Sequence, residues 1–156
     1  MSVSNKKILG IDYGDYTIGL AIFNVDKDFI YPYKTIYRKK ANVLRKSLRE
    51  IIDLIRIENI IEIVIGYPLN FDGTEGERVE KVKVFAKMLE NKLKDSKIDV
   101  SVSFQDERLT TVEARELLST RGIKKEDEKF YIDQVAAEII LSDYRQGEHA
   151  WKKKIL

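Results

Sequence analysis

One aspartate, Asp12, lies between two apolar segments that are joined by a short turn, and this placement is costly for a charge. Residues 8–13 and 18–23 are apolar runs typical of β-strands, and the Gly-Asp-Tyr-Thr sequence between them predicts the turn of an antiparallel hairpin. A carboxylate among strand residues needs hydrogen-bond donors, a cation or a metal ion in place of bulk water. Asp12 is therefore the first candidate functional residue.

Two other interpretations of Asp12 stay open at this point. An aspartate near a glycine at a strand end is common turn chemistry, in which the side chain bonds nearby backbone N–H groups. The Asp-x-Gly pattern of residues 12–14 also resembles the first phosphate loop of actin-like ATPases. Those proteins need two such domains around a nucleotide cleft, whereas a chain of 156 residues has room for about one domain.

The length and composition predict a single domain. Hydrophobic residues make up 44% of the chain, and no Pro/Gly/Ser-rich stretch marks a linker. We expect residues 1–146 to form the domain and residues 147–156 to form a C-terminal tail. The chain has no cysteine, so any metal would have to be bound by oxygen ligands. We see no secretory signal and no membrane-spanning run, and therefore expect a cytoplasmic protein without membrane association.

The hydrophobic pattern predicts nine elements. Strands are expected over 7–13, 17–24, about 28–37, 60–65 and 98–104, and helices over 42–58, 75–94, 110–119 and 126–146. Pro32 in the third strand suits the edge of a sheet. This order predicts an α/β fold with a five-stranded mixed sheet flanked by helices, in which the antiparallel strands 1–3 are continued by the parallel strands 4 and 5.

Acidic residues follow the ends of the predicted parallel strands, where ligands of open α/β sheets bind. Asp12 ends the first strand, and either Asp106 or Glu107 follows the fifth. In the last helix, Asp133 has the spacing of the face that packs on the sheet. Pairing of Asp133 with Arg108 is the simple alternative. Three clustered carboxylates favour a divalent cation, and hard oxygen ligands favour Mg²⁺ or Mn²⁺. Paired ions of this kind hydrolyse phosphodiesters, so the pattern predicts a nuclease.

Any nucleic acid must be bound at local basic patches, because the net charge is only +2. One candidate patch consists of Arg38, Lys39 and Lys40, and another of residues 152–154, which are all lysine. We expect one of these patches to line a path to the acidic residues. The alternative is that both are solvated surface charges.

The segment 66–76 is expected to form a loop that leads into a helix. Thr74-Glu75-Gly76-Glu77 has the Thr-x-x-Glu pattern of a capping box, so Thr74 is predicted to cap the helix. Free N–H groups at this helix start could also hold a phosphate, with Arg78 and Arg108 as charged partners.

Four motifs together resemble the YqgF/RuvX family of bacterial pre-16S rRNA nucleases. They are Gly10-Ile11-Asp12-Tyr13-Gly14, Gly66-Tyr67-Pro68-Leu69-Asn70-Phe71-Asp72-Gly73-Thr74-Glu75-Gly76, Asp106-Glu107-Arg108-Leu109-Thr110-Thr111 and Asp133-Gln134-Val135-Ala136-Ala137. The resemblance extends from about Lys7 to Tyr144 in the family's order. It implies an RNase H-like fold related to Holliday-junction resolvases and a role in maturing the 5′ end of 16S rRNA in the cytoplasm.

The same resemblance implies a catalytic and metal-binding triad of Asp12, Glu107 and Asp133, and so favours Glu107 over Asp106. The chain departs from the family at Thr17, where a basic residue is frequent, and at Gln134, where a small hydroxyl residue is usual.

The implied partners are pre-rRNA and pre-ribosomal particles, with branched DNA as the alternative substrate, and the protein is expected to be a monomer or a homodimer. A Holliday-junction-type endonuclease is one alternative function. A non-catalytic RNase H-like module that binds nucleic acid and assists ribosome assembly is another.

Overall fold

A computed structural model describes residues 5–39, 44–108, 110–147 and 150–151. The strands are β1 (Lys7–Tyr13), β2 (Thr17–Asn24), β3 (Phe29–Tyr37), β4 (Ile60–Tyr67), β5 (Ser101–Asp106) and β6 (Ala150–Trp151). The helices are α1 (Arg45–Glu58), α2 (Glu77–Asp95), α3 (Thr110–Thr120) and α4 (Glu128–Gln146), the last preceded by a short 3₁₀ helix at Lys125–Asp127. Each of the nine predicted elements is present.

The strands form one mixed sheet in the order β3-β2-β1-β4-β5-β6. β1 pairs antiparallel with β2, and β2 with β3, whereas β1 and β4, and β4 and β5, are parallel. This arrangement confirms the predicted five-stranded mixed sheet. The structure adds β6, a two-residue strand within the segment expected to be a tail, which pairs antiparallel with β5.

Helices cover both faces of the sheet because successive strand residues point to opposite sides. On β1, Leu9 and Ile11 join the core under α1 and α2, whereas Ile8 joins the core under α4. The apolar stripe of α1 that the sequence predicted is buried as a set: Leu48, Ile51, Ile52 and Ile55. α3 packs on α4 through a third apolar cluster rather than on the sheet. α4 therefore covers the sheet on the face opposite to α1 and α2.

Close contact between α4 and the sheet depends on Gly19 of β2. A Cβ atom at Gly19 would lie 2.0 Å from the backbone oxygen of Asp133 and 2.3 Å from its carbonyl carbon. Backbone atoms cannot move aside as the end of a side chain can, so only glycine fits here. Gly19 is also the partner of Asp12 in the β1–β2 register. This contact therefore brings the helix that carries Asp133 next to the strand that carries Asp12.

The predicted capping role of Thr74 is wrong. α2 begins at Glu77, and its N-cap residue is Gly76, without a hydrogen bond from a side chain. The Thr74 hydroxyl instead donates to Asp72 Oδ1 at 2.6 Å and accepts from Asn70 Nδ2 at 3.0 Å. The threonine thus closes the loop that precedes the helix.

Within the described part of the chain, no helix is long and apolar enough to span a membrane.

Candidate active site

Asp12 and Glu107 meet at the end of the sheet where the parallel strands β1, β4 and β5 have their C-termini. Asp12 lies on β1 and Glu107 directly follows β5, with β4 between these two strands. Gly66 on β4 leaves the necessary space, because a Cβ atom there would lie 2.6 Å from Glu107 Cδ. The Glu107 N–H also donates to the Tyr67 carbonyl at 3.2 Å. The two carboxyl groups form a hydrogen bond with each other.

The pair is arranged to share a proton. Burial, followed by the charge of Asp133, raises the pKa of Asp12 to about 6, while the hydrogen bond from Glu107 and the charge of Arg78 act in the opposite direction. Burial first, and then the charge and hydrogen bond of Asp12, raise the pKa of Glu107 well above its ordinary value. The proton that the pair shares offsets the repulsion between the two carboxylates.

Asp133 completes the acidic group from α4, which packs on the face of the sheet toward which Asp12 points. Partial burial raises the pKa of this carboxyl, and a hydrogen bond from Thr17 partly offsets the increase. Its charge is close enough to Asp12 to raise the pKa of that residue as well. The structure thus places both Glu107 and Asp133 next to Asp12, and their roles in catalysis and metal binding stay a prediction.

Arg108 distinguishes the surroundings of Asp106 from those of Glu107. Arg108 Nε donates to Asp106 Oδ2 at 2.9 Å, its Nη2 lies 2.8 Å from the same oxygen, and its backbone N–H donates to Asp106 Oδ1 at 3.1 Å. Both carboxylate oxygens of Asp106 therefore accept hydrogen bonds from Arg108, and Asp106 holds the arginine in place. Glu107, not Asp106, contacts Asp12. Arg108 is also the partner of Asp106 rather than of Asp133, which removes the simple structural pairing considered for Asp133.

The three carboxylates suit a divalent cation in their chemistry. Glu107 Oε1 is buried and has no hydrogen-bond partner among the described residues. Burial first, and then neighbouring negative charge, raises the pKa of Asp12 and of Glu107, and the charge of Arg78 offsets only part of the increase. An all-oxygen donor set is the one that Mg²⁺ and Mn²⁺ prefer.

The side chains are not, however, set in the positions of metal ligands. Within residues 5–39, 44–108, 110–147 and 150–151, no group of three acidic, histidine or cysteine side chains is placed to hold one ion. Asp12 and Glu107 bond to each other, and Asp133 bonds to Thr17. Binding of a cation would require these carboxylates to give up those bonds and the shared proton.

Arg78, in the first turn of α2, is the cation next to the acidic pair. Its charge lowers the pKa of both Asp12 and Glu107. A positive side chain opposes the helix dipole in the first turn, so this position does not favour the helix itself. Arg78 instead offsets part of the negative field at the carboxylates.

Comparison with known proteins identifies the family. A family model described as "RuvX: Holliday junction resolvase" matches residues 6–146. The chain belongs to the RuvX family. It is 39% identical to a relative from Lachnospira eligens, over 91% of this chain and 98% of that protein. It is 41% identical to one from Carboxydothermus hydrogenoformans, over 88% of this chain and 94% of that protein. Both relatives bear the name "Putative pre-16S rRNA nuclease".

Solved structures show that this RuvX-family chain has the RNase H-like fold of resolvases. Thermus thermophilus RuvC in complex with a Holliday junction substrate superposes with a TM-score of 0.57 and 12% identity, covering 96% of this chain and 99% of that one. The Holliday junction resolvase of fowlpox virus superposes with a TM-score of 0.55 and 14% identity, covering 90% and 98% of the two chains. At such low identity, the likeness concerns the fold alone.

Thr17 and Gln134, the two residues noted above as unusual for the family, each form a hydrogen bond that involves α4. Thr17 donates to the Asp133 carboxylate, and Gln134 Nε2 donates to Thr35 Oγ1 at 3.1 Å. The first contact holds a member of the acidic group, whereas the second joins the helix to β3. Thr17 was not recognised from the sequence as a partner of Asp133. Its position in the hairpin, near the residues that face Asp12, is the signal that could have revealed it.

Arg38 does not lie in an exposed basic patch, contrary to the expectation from the sequence. Only 7% of the residue is exposed. Its Nη2 donates to the Gly14 carbonyl, and its guanidinium lies 5.1 Å from the ring centre of Tyr13. Arg38 thus supports the turn that follows Asp12. A run of basic residues in the sequence does not reveal which of them turns inward.

Lys39 remains on the surface at the same edge of the sheet as the acidic group. Both β1 and β3 run antiparallel to β2, so both end at this edge. Lys39 lines a cavity of about 590 Å³ there, together with Lys34 and Lys46. The other predicted patch residues, Lys40 and 152–154, lie outside the described residues.

Proposed function

We propose that this protein is a metal-dependent nuclease that hydrolyses a phosphodiester bond of pre-16S rRNA during maturation of the 5′ end. The observation that carries the proposal is the convergence of Asp12, Glu107 and Asp133 at the carboxyl edge of the sheet, beside Arg78. Membership of the RuvX family supports nuclease chemistry. The names of the relatives support the choice of rRNA.

Asp12, Glu107 and Asp133 are the residues that would hold Mg²⁺ or Mn²⁺. When bound, such ions supply an activated water and stabilise the charge on the leaving oxygen. The protein contributes the rest. Gly66 leaves room for the Glu107 carboxyl, Thr17 holds Asp133, and Arg78 reduces the repulsion between the carboxylates and an incoming phosphate.

The proposal includes cations that guide the substrate to this site. We assign Lys39 to the approach along the β3 side, and Arg78 and Arg108 to the approach along the α2 side, with Thr74 in the loop beside them. Lys/Arg contacts of this kind add affinity that is independent of sequence and falls with salt. The expected setting is the cytoplasm, on pre-rRNA or a pre-ribosomal particle.

A cleavage panel tests the proposal directly. The substrates are a labelled RNA that spans the 5′ end of 16S rRNA, an unstructured RNA and a four-way DNA junction, each with Mg²⁺, Mn²⁺ or EDTA. We expect metal-dependent cleavage of the rRNA substrate, and its loss in Asp12→Asn and Glu107→Gln. Asp106→Asn is the matched control, because it is the adjacent carboxylate but pairs with Arg108. It should retain far more activity than Glu107→Gln.

Metal binding gives a second readout that does not depend on cleavage. Titration calorimetry with Mn²⁺ should show binding to the wild type and much weaker binding to Glu107→Gln.

Two outcomes of these experiments would contradict the proposal. Preferential cleavage of the four-way junction would assign the protein to branched DNA instead. Binding of RNA without cleavage of any substrate, and without metal binding, would leave the non-catalytic assembly module as the function.

A further inference from the structure

A groove lies directly beside the acidic group, on the side of β4 and β5. Its volume is about 400 Å³, within the range of sites that hold small ligands. The lining residues used below are Leu69, Phe71, Arg78, Arg108 and Val112. Apolar side chains, two arginines and one acidic residue, Glu77, therefore share one concave surface. Arg108 directly follows Glu107 of the acidic site.

Phe71 presents its ring to solvent from a loop that is held in place. The residue is 78% exposed. The loop around it is closed by backbone hydrogen bonds from Asn70 N–H to the Thr74 carbonyl and from Gly73 N–H to the Asn70 carbonyl, each 2.9 Å long. A single exposed apolar residue is ordinary on a protein surface. An aromatic ring at the rim of a groove that contains two arginines has, in addition, the form of a stacking platform.

The two arginines place positive charge along the groove. Arg108 is anchored by Asp106, yet about a third of its side chain, 32%, is exposed. The other end of its guanidinium reaches the loop, since a Cβ atom at Gly73 would lie 3.4 Å from Arg108 Nη1. Arg78 lies between this point and the acidic pair, whose pKa values its charge lowers. Phe71, Arg108 and Arg78 thus line one groove, and Arg78 is also the arginine whose charge acts on Asp12 and Glu107.

We propose that this groove binds one unpaired nucleotide next to the scissile phosphate, with its base stacked on Phe71 and its phosphate held by Arg108 and Arg78. The inference rests on the proposed nuclease function and specifies the substrate for it. A paired base in a duplex has both faces covered by its neighbours, whereas an unpaired base offers a free face to an aromatic ring. The site therefore selects strands that are single or opened at the point of cleavage.

Binding measured in EDTA tests the groove separately from catalysis. The probe is a short single-stranded RNA with 2-aminopurine at one position, and the readouts are fluorescence quenching and affinity. We expect Phe71→Ala to weaken binding by about 5- to 100-fold, the usual range for loss of one base–aromatic stack. Phe71→Trp should keep the affinity. Phe29→Ala is the matched control, because Phe29 is also exposed, at 48%, but begins the edge strand β3 at the opposite edge of the sheet.

Three further probes decide the outcome. A fully paired RNA duplex of the same sequence should bind equally to the wild type and Phe71→Ala, and an oligonucleotide with an abasic position should lose affinity for the wild type only. Single-stranded DNA of the same sequence should show the same dependence on Phe71, because base stacking does not involve the 2′-hydroxyl group. Equal binding of single-stranded RNA by the wild type and Phe71→Ala would overturn the inference, as would an equal effect of Phe71→Ala on duplex RNA. Phe71-dependent binding without any cleavage would refute the nuclease but keep the nucleotide site.

Discussion

The carboxyl groups of Asp12 and Glu107 are hydrogen bonded across β4, although their strands do not touch each other. The contact exists because Gly66 has no side chain where the Glu107 carboxyl passes over β4. Two acidic residues far apart in the sequence are thus forced to share a proton in the absence of a cation. Their mutual repulsion is energy that a divalent ion can release when it binds.

Replacement of Gly66 by alanine should displace Glu107. The new Cβ atom would lie 2.5 Å from Ile140 Cδ1 and 2.6 Å from Glu107 Cδ. Both neighbours are ends of side chains and can move, so we expect a folded protein that has lost about 1–3 kcal/mol of stability. Cleavage should fall by at least about tenfold, because a shift of the order of 1 Å is costly at a catalytic group.

Gly10→Ala is the control for this substitution. Its Cβ atom would crowd Leu141 Cγ at 2.5 Å, against the same helix α4 but without contact to Glu107. A similar loss of stability with retained cleavage is expected, as measured by urea unfolding and by initial rates well below the melting temperature. Equal losses of activity in both variants would mean that the position of α4, and not of Glu107, controls the rate.

The metal-free protein should lose stability as the pH rises through 6. The pKa of Asp12 is about 6 in the folded state, whereas the ordinary pKa of an aspartate is 3.8. The folded state therefore binds the proton more tightly, so this contribution is fully present below about pH 4 and is lost as the pH passes 6. We expect a contribution of roughly 1–3 kcal/mol. Urea unfolding in EDTA between pH 4 and 8 measures it, as the difference between wild type and Asp12→Asn. A difference that is constant with pH would contradict the raised pKa.

Asp133→Asn should uncouple stability from activity. The charge of Asp133 raises the pKa of Asp12, so its removal should bring that pKa closer to its ordinary value, which ¹³C NMR of the carboxyl group can follow. Asparagine still accepts the hydrogen bond from Thr17, and we expect the metal-free variant to be as stable as the wild type, or up to about 1 kcal/mol more stable. Cleavage should fall by about 100-fold or more, since the proposed metal site loses one carboxylate. A large fall in melting temperature would show instead that the carboxylate stabilises the fold.

The sequence predicted the parts of the site that follow from periodicity and strand order. Asp12 at a strand end and Asp133 on the packed face of the last helix were both located in this way, and the structure places them together. Asp106 and Glu107 could not be separated from the residues alone. They are adjacent, and the choice depends on the pairing of Asp106 with Arg108 and on the space above Gly66, which are tertiary contacts.

The errors have similar causes. Thr74 has a capping-box pattern, but the chain closes a tight loop at Asp72 and starts its helix later, at Glu77. Arg38 begins a basic run, but its side chain turns inward to the Gly14 carbonyl. In both cases the residue types fitted the predicted role. The path of the backbone, which a short sequence pattern does not contain, placed the side chain in a different role.

Thr17→Val tests whether the threonine that departs from the family pattern positions Asp133. The Thr17 hydroxyl lowers the pKa of the Asp133 carboxyl, so its loss should raise that pKa further and leave the carboxylate free to rotate. Outer contacts to metal ligands are typically worth about 10- to 100-fold in metal affinity or activity, and we expect a loss in this range for Mn²⁺ affinity measured by calorimetry. Thr35→Val is the matched control: Thr35 is also a strand threonine bonded to α4, but its partner is Gln134, the residue after Asp133. If Thr35→Val weakens Mn²⁺ binding as much as Thr17→Val, the effect comes from movement of the helix. If only Thr17→Val does so, and the pKa of Asp133 rises with it, the hydroxyl acts through that carboxylate.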